Sequence, residues 1–365
     1  MMRIAFYGSS LLSSYWNGAA TYYRGILRAL AAHGHAITFY EPDAFGRQAR
    51  RDIAPPDWCK VVVYEASEAG LNQVLAEAVS ADVVVKASGV GFGDARLLAG
   101  VLWNARPDAL RIWWDVDAPA TLAEIEADPD HLLRKALPRL DLVLTYGGGA
   151  PVTDAYRGLG ARDCVPVYNA LDPETHRPVP RDPRFACDLA FLGNRLPDRE
   201  KRVEAFFLEV ARALPAHRFL LGGSGWADKP CSDNVAKLDH VPSADHNAFN
   251  ATPRAVLNIS RDSMAATGFS PATRVFEACG AGACLITDAW TGIELFLEPG
   301  REVLVARNGA EVARHLIGLT PERSAAIGAA GRRRILREHT YDRRAAELDG
   351  VLREALAAKR GRAAA

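Results

Sequence analysis

No two cysteines in this 365-residue chain stand in a C-x-x-C spacing, and no histidines cluster as zinc ligands do. The six cysteines fall singly at 59, 164, 187, 231, 279 and 284, so neither a disulfide framework nor a structural zinc site is expected. Cys187, Cys279 and Cys284 lie in apolar runs and read as small core residues. No stretch approaches the roughly 18 consecutive apolar residues of a bilayer-spanning helix. The opening residues, Met1 to Gly8, already read as a strand entering a loop rather than as a basic-then-apolar leader. Excess charge of one sign is missing too, since 44 Lys and Arg face 44 Asp and Glu. Without a net positive field the chain is a poor candidate for non-specific nucleic-acid binding. The expectation is a soluble, reduced, cytoplasmic protein with no nucleic-acid partner and no stable membrane insertion. Basic residues do gather at Arg332–Arg334 and Lys359–Arg362. These read as a solvated helix face and a frayed tail, or else as a contact for an anionic surface.

What is present is ordinary for a globular protein, with 49% hydrophobic and 24% charged residues, and the length suits two domains. Short apolar runs alternate with amphipathic stretches, the pattern of βα units and a parallel sheet. Strands are expected at Ile4–Gly8, Ala36–Tyr40, Val61–Tyr64, Val83–Lys86, Leu110–Trp114 and Leu142–Tyr146. The pattern then resets across Tyr168–Pro183, which holds four prolines without periodicity and reads as an ordered linker. A second series follows at Asp188–Leu192, Phe219–Leu221, Leu238–Val241, Val256–Ser260, Cys284–Thr287 and Val303–Val305, then a helical tail from about Ala310. The implied fold class is α/β: two Rossmann-like, doubly wound domains, 1–172 and 180–345, with a C-terminal helix, 346–365, returning to the first. Ligands in such sheets sit at the carboxyl ends of the strands.

The most informative segment runs from Thr267 to Asp288. A polar, Gly-containing loop enters a helix that carries Arg274 and Glu277 three residues apart, on one face near its N-terminal end. Uncapped N–H groups and a positive dipole end suit a phosphate there, Arg274 adds a guanidinium fork, and Glu277 can accept hydrogen bonds from a ribose diol. The same spacing fits a plain surface Arg–Glu pair on a packed α/β unit.

The segment resembles the donor-binding run of GT-B glycosyltransferases, and most closely the spore-maturation (CgeB-type) family. Ser270, Thr273, Arg274, Phe276, Glu277 and Gly280 carry the likeness. It continues through Leu285–Asp288, Gly292, Glu294, Phe296, Pro299, Gly300 and Glu302, and ends around His339–Arg343. The resemblance covers about the last half of the chain and implies a GT-B fold whose two domains face across a cleft. It also implies a transfer of sugar from a nucleoside-diphosphate sugar, such as a UDP-sugar, to an unknown acceptor (glycan, protein or small molecule), with no cofactor and no metal. By that likeness Gly193, Asn194 and Arg195, with Arg199 and Lys201 beyond them, approach the donor diphosphate. Val241 would lie near the base, and Ser270, Thr273, Arg274 and Glu277 would hold the donor. Asn17 and Gly18 match the phosphate-facing loop of the first domain. Asp115 and Asp117, in Trp113–Pro119, reach an expected cleft edge where a carboxylate could take the acceptor's proton; Asp117 equally suits a turn or helix cap.

One departure is plain. The resemblance calls for a second glutamate where Phe269 stands, so the stereochemical outcome and the sugar stay open. Two rival functions fit the same fold: a sugar-nucleotide epimerase, and a non-catalytic nucleotide-sugar or carbohydrate binder. The epimerase needs an acid pair that Glu277 alone does not make.

Overall fold

The computed structural model describes residues 1–15 and 17–364; Trp16, within the first long loop, and Ala365 lie outside them. Two compact units emerge, Met1–Tyr168 with Tyr341–Ala365, and Asn169–Thr340.

In the first unit the strands are β1 Arg3–Tyr7, β2 Ala36–Asp43, β3 Lys60–Glu65, β4 Val83–Ala87, β5 Leu110–Asp115, β6 Leu142–Thr145 and β7 Cys164–Pro166. They form one parallel sheet in the order β3-β2-β1-β4-β5-β6-β7, so the strand order reverses direction between β1 and β4. β4 (Val-Val-Val-Lys-Ala) is buried at every position, as a strand covered on both faces must be. An aromatic cluster fills one side: Phe6 stacks on Phe39 at 5.2 Å, and Tyr23 and Trp114 meet Phe6 edge-on. The terminal helix, Tyr341–Ala364, packs on helix Ala20–Ala32, where a Cβ at Gly25 would lie 2.2 Å from the Tyr341 ring. Only glycine lets the helices approach so closely. Charge pairs fasten its length: His35–Asp349 at 2.8 Å, Arg360–Asp82 at 2.8 Å and Lys359–Asp141 at 2.5 Å.

In the second unit β8 Leu189–Leu192, β9 Phe219–Gly222, β10 Val235–Leu238, β11 Ala255–Asn258, β12 Leu285–Asp288 and β13 Leu304–Ala306 form another all-parallel sheet, ordered β10-β9-β8-β11-β12-β13. Phe191, Phe207, Phe219, Leu257 and Ile286 build its core, each 2% exposed or less. Burying a side chain of this size contributes about 1.5–3 kcal/mol. The segment after β8 is one continuous helical run, Pro197–Val203, a π-turn at Glu204–Leu208, then Glu209–Ala213.

Two strand expectations are corrected. β10 lies at Val235–Leu238, three residues before the expected Leu238–Val241, and β7 was not foreseen. Both are edge strands; β10 has no fully buried residue and so no apolar alternation to read.

Candidate functional site

The second unit gathers its polar groups where β8, β9, β11 and β12 end. Gly193 and Gly223, the residues that follow β8 and β9, bring two loops into backbone contact. Gly223 has φ +121°, and a Cβ there would lie 2.3 Å from the Gly193 carbonyl oxygen. The loops are stitched by Gly193 N–H to Gly222 O (2.9 Å), Arg195 N–H to Ser224 O (2.9 Å), Ser224 N–H to Asn194 Oδ1 (3.1 Å) and Trp226 Nε1–H to Gly193 O (2.7 Å). At the neighbouring strand ends Asp288, fully buried, accepts from Ser260 N–H (3.1 Å) and from Arg202 Nη2 (2.6 Å). That contact clamps the helix after β8 onto the end of β12.

Inside this frame the arginines divide by partner. Arg195 is committed: Nε and Nη2 bind Glu200 at 2.9 and 2.8 Å, and Nη1 reaches Asp228 at 3.1 Å. Two carboxylates thus neutralise Arg195, the residue expected to approach a diphosphate. Arg199 instead donates one hydrogen bond, to the Asn194 carbonyl at 2.6 Å, and packs 5.6 Å from the Phe191 ring centroid. Its Nε is buried and has no partner among the described residues. Burial pushes its pKa down to about 10; Asp198 opposes this, while Arg274 and Arg261 add to it. Among the described residues Arg274 donates a single long hydrogen bond, Nη1 to Asn250 Oδ1 at 3.2 Å, and its buried Nε has no partner. Burial lowers its pKa, only partly offset by Glu277. Arg261 is tied to Asp198 at 2.5 Å. Two half-buried guanidiniums without a carboxylate within 4 Å among the described residues are an under-neutralised pair, which suits an anion.

Arg274 is the second residue of helix Thr273–Gly280, whose N-cap, Ala272, offers no side-chain acceptor and whose first turn has no acid. Val275 N–H turns back to the Ala272 carbonyl at 3.0 Å, and no side chain caps the N–H groups of Thr273 and Arg274 among the described residues. The approach is strained: Phe269 takes φ +49°, with Gly268 at φ +73° before it. Ser270 is 4% exposed, and its hydroxyl makes no hydrogen bond among the described residues. One turn along, Glu277 is 8% exposed and faces His176 Nε2 at 3.6 Å, with no hydrogen bond to its carboxylate among the described residues. Burial alone would raise its pKa, but His176, Arg274 and His246 together hold it below the usual range. His246 donates Nε2–H to the Val241 carbonyl at 3.1 Å, so that carbonyl is already engaged and Val241 itself is core. Lys201 projects from the helix with no ion pair among the described residues; Thr273 is half-buried at the start of the later helix. The sequence reading missed Arg261, Asn250, His176 and His246, which sit on other elements and carry no motif.

In the first unit Asp115 ends β5 fully buried. It accepts from Tyr156 Oη, Asp117 N–H (2.9 Å) and Thr121 Oγ1 (3.1 Å), and burial raises its pKa. The carboxylate expected at the cleft edge thus holds the start of the next helix through Asp117 N–H and Thr121 Oγ1. Asp117, half-buried, is the N-cap of that helix, Ala118–Ala127. Asn17 also turns inward, giving Nδ2 to Ser10 O and Ser13 O (2.8 and 3.0 Å) and accepting from Ser9 Oγ (2.9 Å). Glu41, fully buried, takes Ser10 Oγ and the Leu11 and Leu12 N–H groups, so the loop after β1 is a built turn. Gly18 borders open space. Among the described residues no group of three His, Cys, Asp or Glu could hold a metal ion, and no helix is long and apolar enough to cross a membrane.

Solved structures share this two-sheet fold over nearly their full length. Sucrose-phosphate synthase from Thermosynechococcus elongatus superposes with a TM-score of 0.69 at 13% identity, covering 98% of this chain and 100% of that one. HepE from Anabaena, solved with UDP-glucose, gives 0.67 at 13% identity, covering 97% and 100%. The chain has the GT-B glycosyltransferase fold. An α-glucosyltransferase solved with UDP-glucose and DNA shares the GT-B fold too, with a TM-score of 0.70 at 11% identity over 96% and 99%. Residues 199–350 match the glycosyl transferase-like family, a span that holds Arg199, Arg274 and Glu277. No curated protein matches the chain in sequence.

Proposed function

We propose that the chain is a glycosyltransferase, of the hexosyltransferase class, that takes a sugar from a nucleoside-diphosphate sugar and passes it to a hydroxyl or similar nucleophile on an acceptor. The observation that carries this reading is the half-buried pair Arg199 and Arg274, whose buried Nε atoms have no partner and which meet no carboxylate among the described residues, beside a helix start without a side-chain cap and the Glu277 carboxylate. Such a site complements a diphosphate next to a ribose. As the glycosidic bond breaks, charge builds on the diphosphate, and fixed cations and N–H groups stabilise it there without a metal. Glu277 binds the ribose hydroxyls. UDP is the base-bearing group to expect first, because UDP-glucose occupies neighbours of the same fold. The motif residues around Arg274 favour the CgeB-type branch. All six cysteines are free, which suits a reducing, cytoplasmic setting.

The test is a thermal-shift screen with UDP, GDP, dTDP, CDP and their sugars, with and without EDTA. A ligand at 100 times its dissociation constant adds about 2.7 kcal/mol. Stabilisation by one diphosphate series, insensitive to EDTA, supports the reading; none from any of them overturns it. Turnover separates the rivals: transfer or slow hydrolysis marks a transferase, and a new sugar nucleotide formed without acceptor marks an epimerase.

A further inference from the structure

A second under-neutralised cation cluster lies in the first unit, far along the strands from Asp115. Arg111 is the second residue of β5, Asp141 directly precedes β6, and Arg162 stands two residues before β7. All three therefore belong to the amino-terminal edge of the sheet, opposite the edge where Asp115 ends β5. Pro107, Arg139 and, from the terminal helix, Lys359 and Arg362 complete the wall of a depression of about 250 Å³. Its lining sets five cationic side chains against one carboxylate.

That carboxylate is already spent. The Asp141 side chain, 4% exposed, takes Lys359 Nζ at 2.5 Å, the Arg111 backbone N–H at 2.9 Å and Arg162 Nη1 at 3.6 Å. The guanidiniums of Arg111, Arg139 and Arg362 meet no carboxylate among the described residues. Arg111 gives Nη2 to the Ala105 carbonyl at 3.3 Å, and its buried Nε has no partner among the described residues. Arg139 stacks 3.7 Å from the Trp103 ring centroid, and that tryptophan is 66% exposed. Burial, with Arg111 and Arg162 adding to it, lowers the Lys359 pKa even though Asp141 opposes the shift. In a chain whose net charge is zero, so local an excess costs stability unless an anion relieves it.

We propose that this pocket binds a phosphoryl group. Guanidinium forks match phosphate oxygens in pairs, and several forks round one hollow suit the several oxygens of a phosphate better than the two of a carboxylate. The occupant would also lock the terminal helix, which supplies Lys359 and Arg362, onto the strand edge that supplies Arg111 and Arg162. The same chemistry is offered by a free polyphosphate and by a phospholipid headgroup, and the exposed Trp103 beside Arg139 suits the second source.

The experiment uses the full chain and two probes: inorganic pyrophosphate by calorimetric titration, and sedimentation with vesicles of phosphatidylcholine with or without phosphatidylglycerol. The variant is Arg139→Glu with Arg362→Glu. Both residues are exposed and ion-pair-free among the described residues, so the fold should hold, and an unchanged melting temperature confirms it. Pyrophosphate also suits the arginines of the second unit, so Arg274→Ala is titrated alongside. A pyrophosphate event weakened at least tenfold by the double variant and kept by Arg274→Ala identifies a free phosphate ligand. Loss in the double variant of binding to phosphatidylglycerol vesicles alone identifies the lipid source. Wild type and double variant alike in both assays overturn the proposal and leave the donor-site reading untouched.

Discussion

Gly223 stands against Gly193 so closely that a Cβ on Gly223 would lie 2.3 Å from the Gly193 carbonyl oxygen and 2.5 Å from its carbon. With φ at +121° as well, a substitution here meets both strain and collision. Gly223→Ala is expected to cost about 1–3 kcal/mol from the backbone conformation alone, and to push the Gly193–Asn194 turn away from Arg199. Since 1 kcal/mol shifts a domain of this size by roughly 2–4 °C, thermal melting reads the first effect and nucleoside-diphosphate titration the second. An unchanged melting temperature would show that the loops yield freely.

How much of this was legible in the sequence differs by element. Buried central strands such as β4 and β12 declare themselves as short apolar runs between breaks. The edge strands β7 and β10 do not, because burial on both faces is what writes the run. Arg274 and Glu277 could be found because helical spacing places them together. Arg195 and Arg199 look alike along the chain, and what separates them is Asp228, 33 residues from Arg195 in sequence, and Glu200. A tertiary partner at that distance leaves no local signal.

Arg199→Ala and Arg274→Ala should separate binding from stability. Each arginine is half-buried, leaves a buried Nε without a partner among the described residues and makes one hydrogen bond, so its loss should leave the unliganded fold as stable as before or slightly more so. Each should weaken nucleoside-diphosphate binding about ten- to a hundredfold, as for a lost charge-assisted hydrogen bond of roughly 1.5–3 kcal/mol. Glu277→Gln should weaken it less. Calorimetry against the best diphosphate decides; full affinity in both arginine variants would place the donor site elsewhere.

Acid should loosen the second unit in two stages. His246 has its pKa lowered by burial and then by Arg274, so the fold favours the neutral ring. Its contribution is complete above the unfolded value, about 6.5, and is lost as pH falls below it. Glu277, with its pKa held below the usual range, contributes above about 4.5 and fails only in stronger acid. Chemical denaturation from about pH 8 down to about pH 5 should show the first loss, and His246→Gln, which keeps a donor for the Val241 carbonyl, should flatten it. An equal slope in the variant would assign the acid sensitivity to another group.

The two aspartates at the end of β5 should part company under the same change. Asp115 receives Tyr156 Oη, Asp117 N–H and Thr121 Oγ1, and an amide in its place would turn an NH2 group toward one of these donors. Asp115→Asn should therefore destabilise by about 1–3 kcal/mol while the surviving folded protein keeps its turnover. Asp117 is half-buried at an N-cap, where asparagine serves as well as aspartate, so Asp117→Asn should change stability by less than about 0.5 kcal/mol. If Asp117 takes the acceptor's proton, the same variant should lower kcat by about a hundredfold or more with donor KM little changed. Melting curves and steady-state rates on both variants test the pair together. Full kcat in folded Asp117→Asn would remove Asp117 as the base, and a stable but inactive Asp115→Asn would give that chemical role to Asp115.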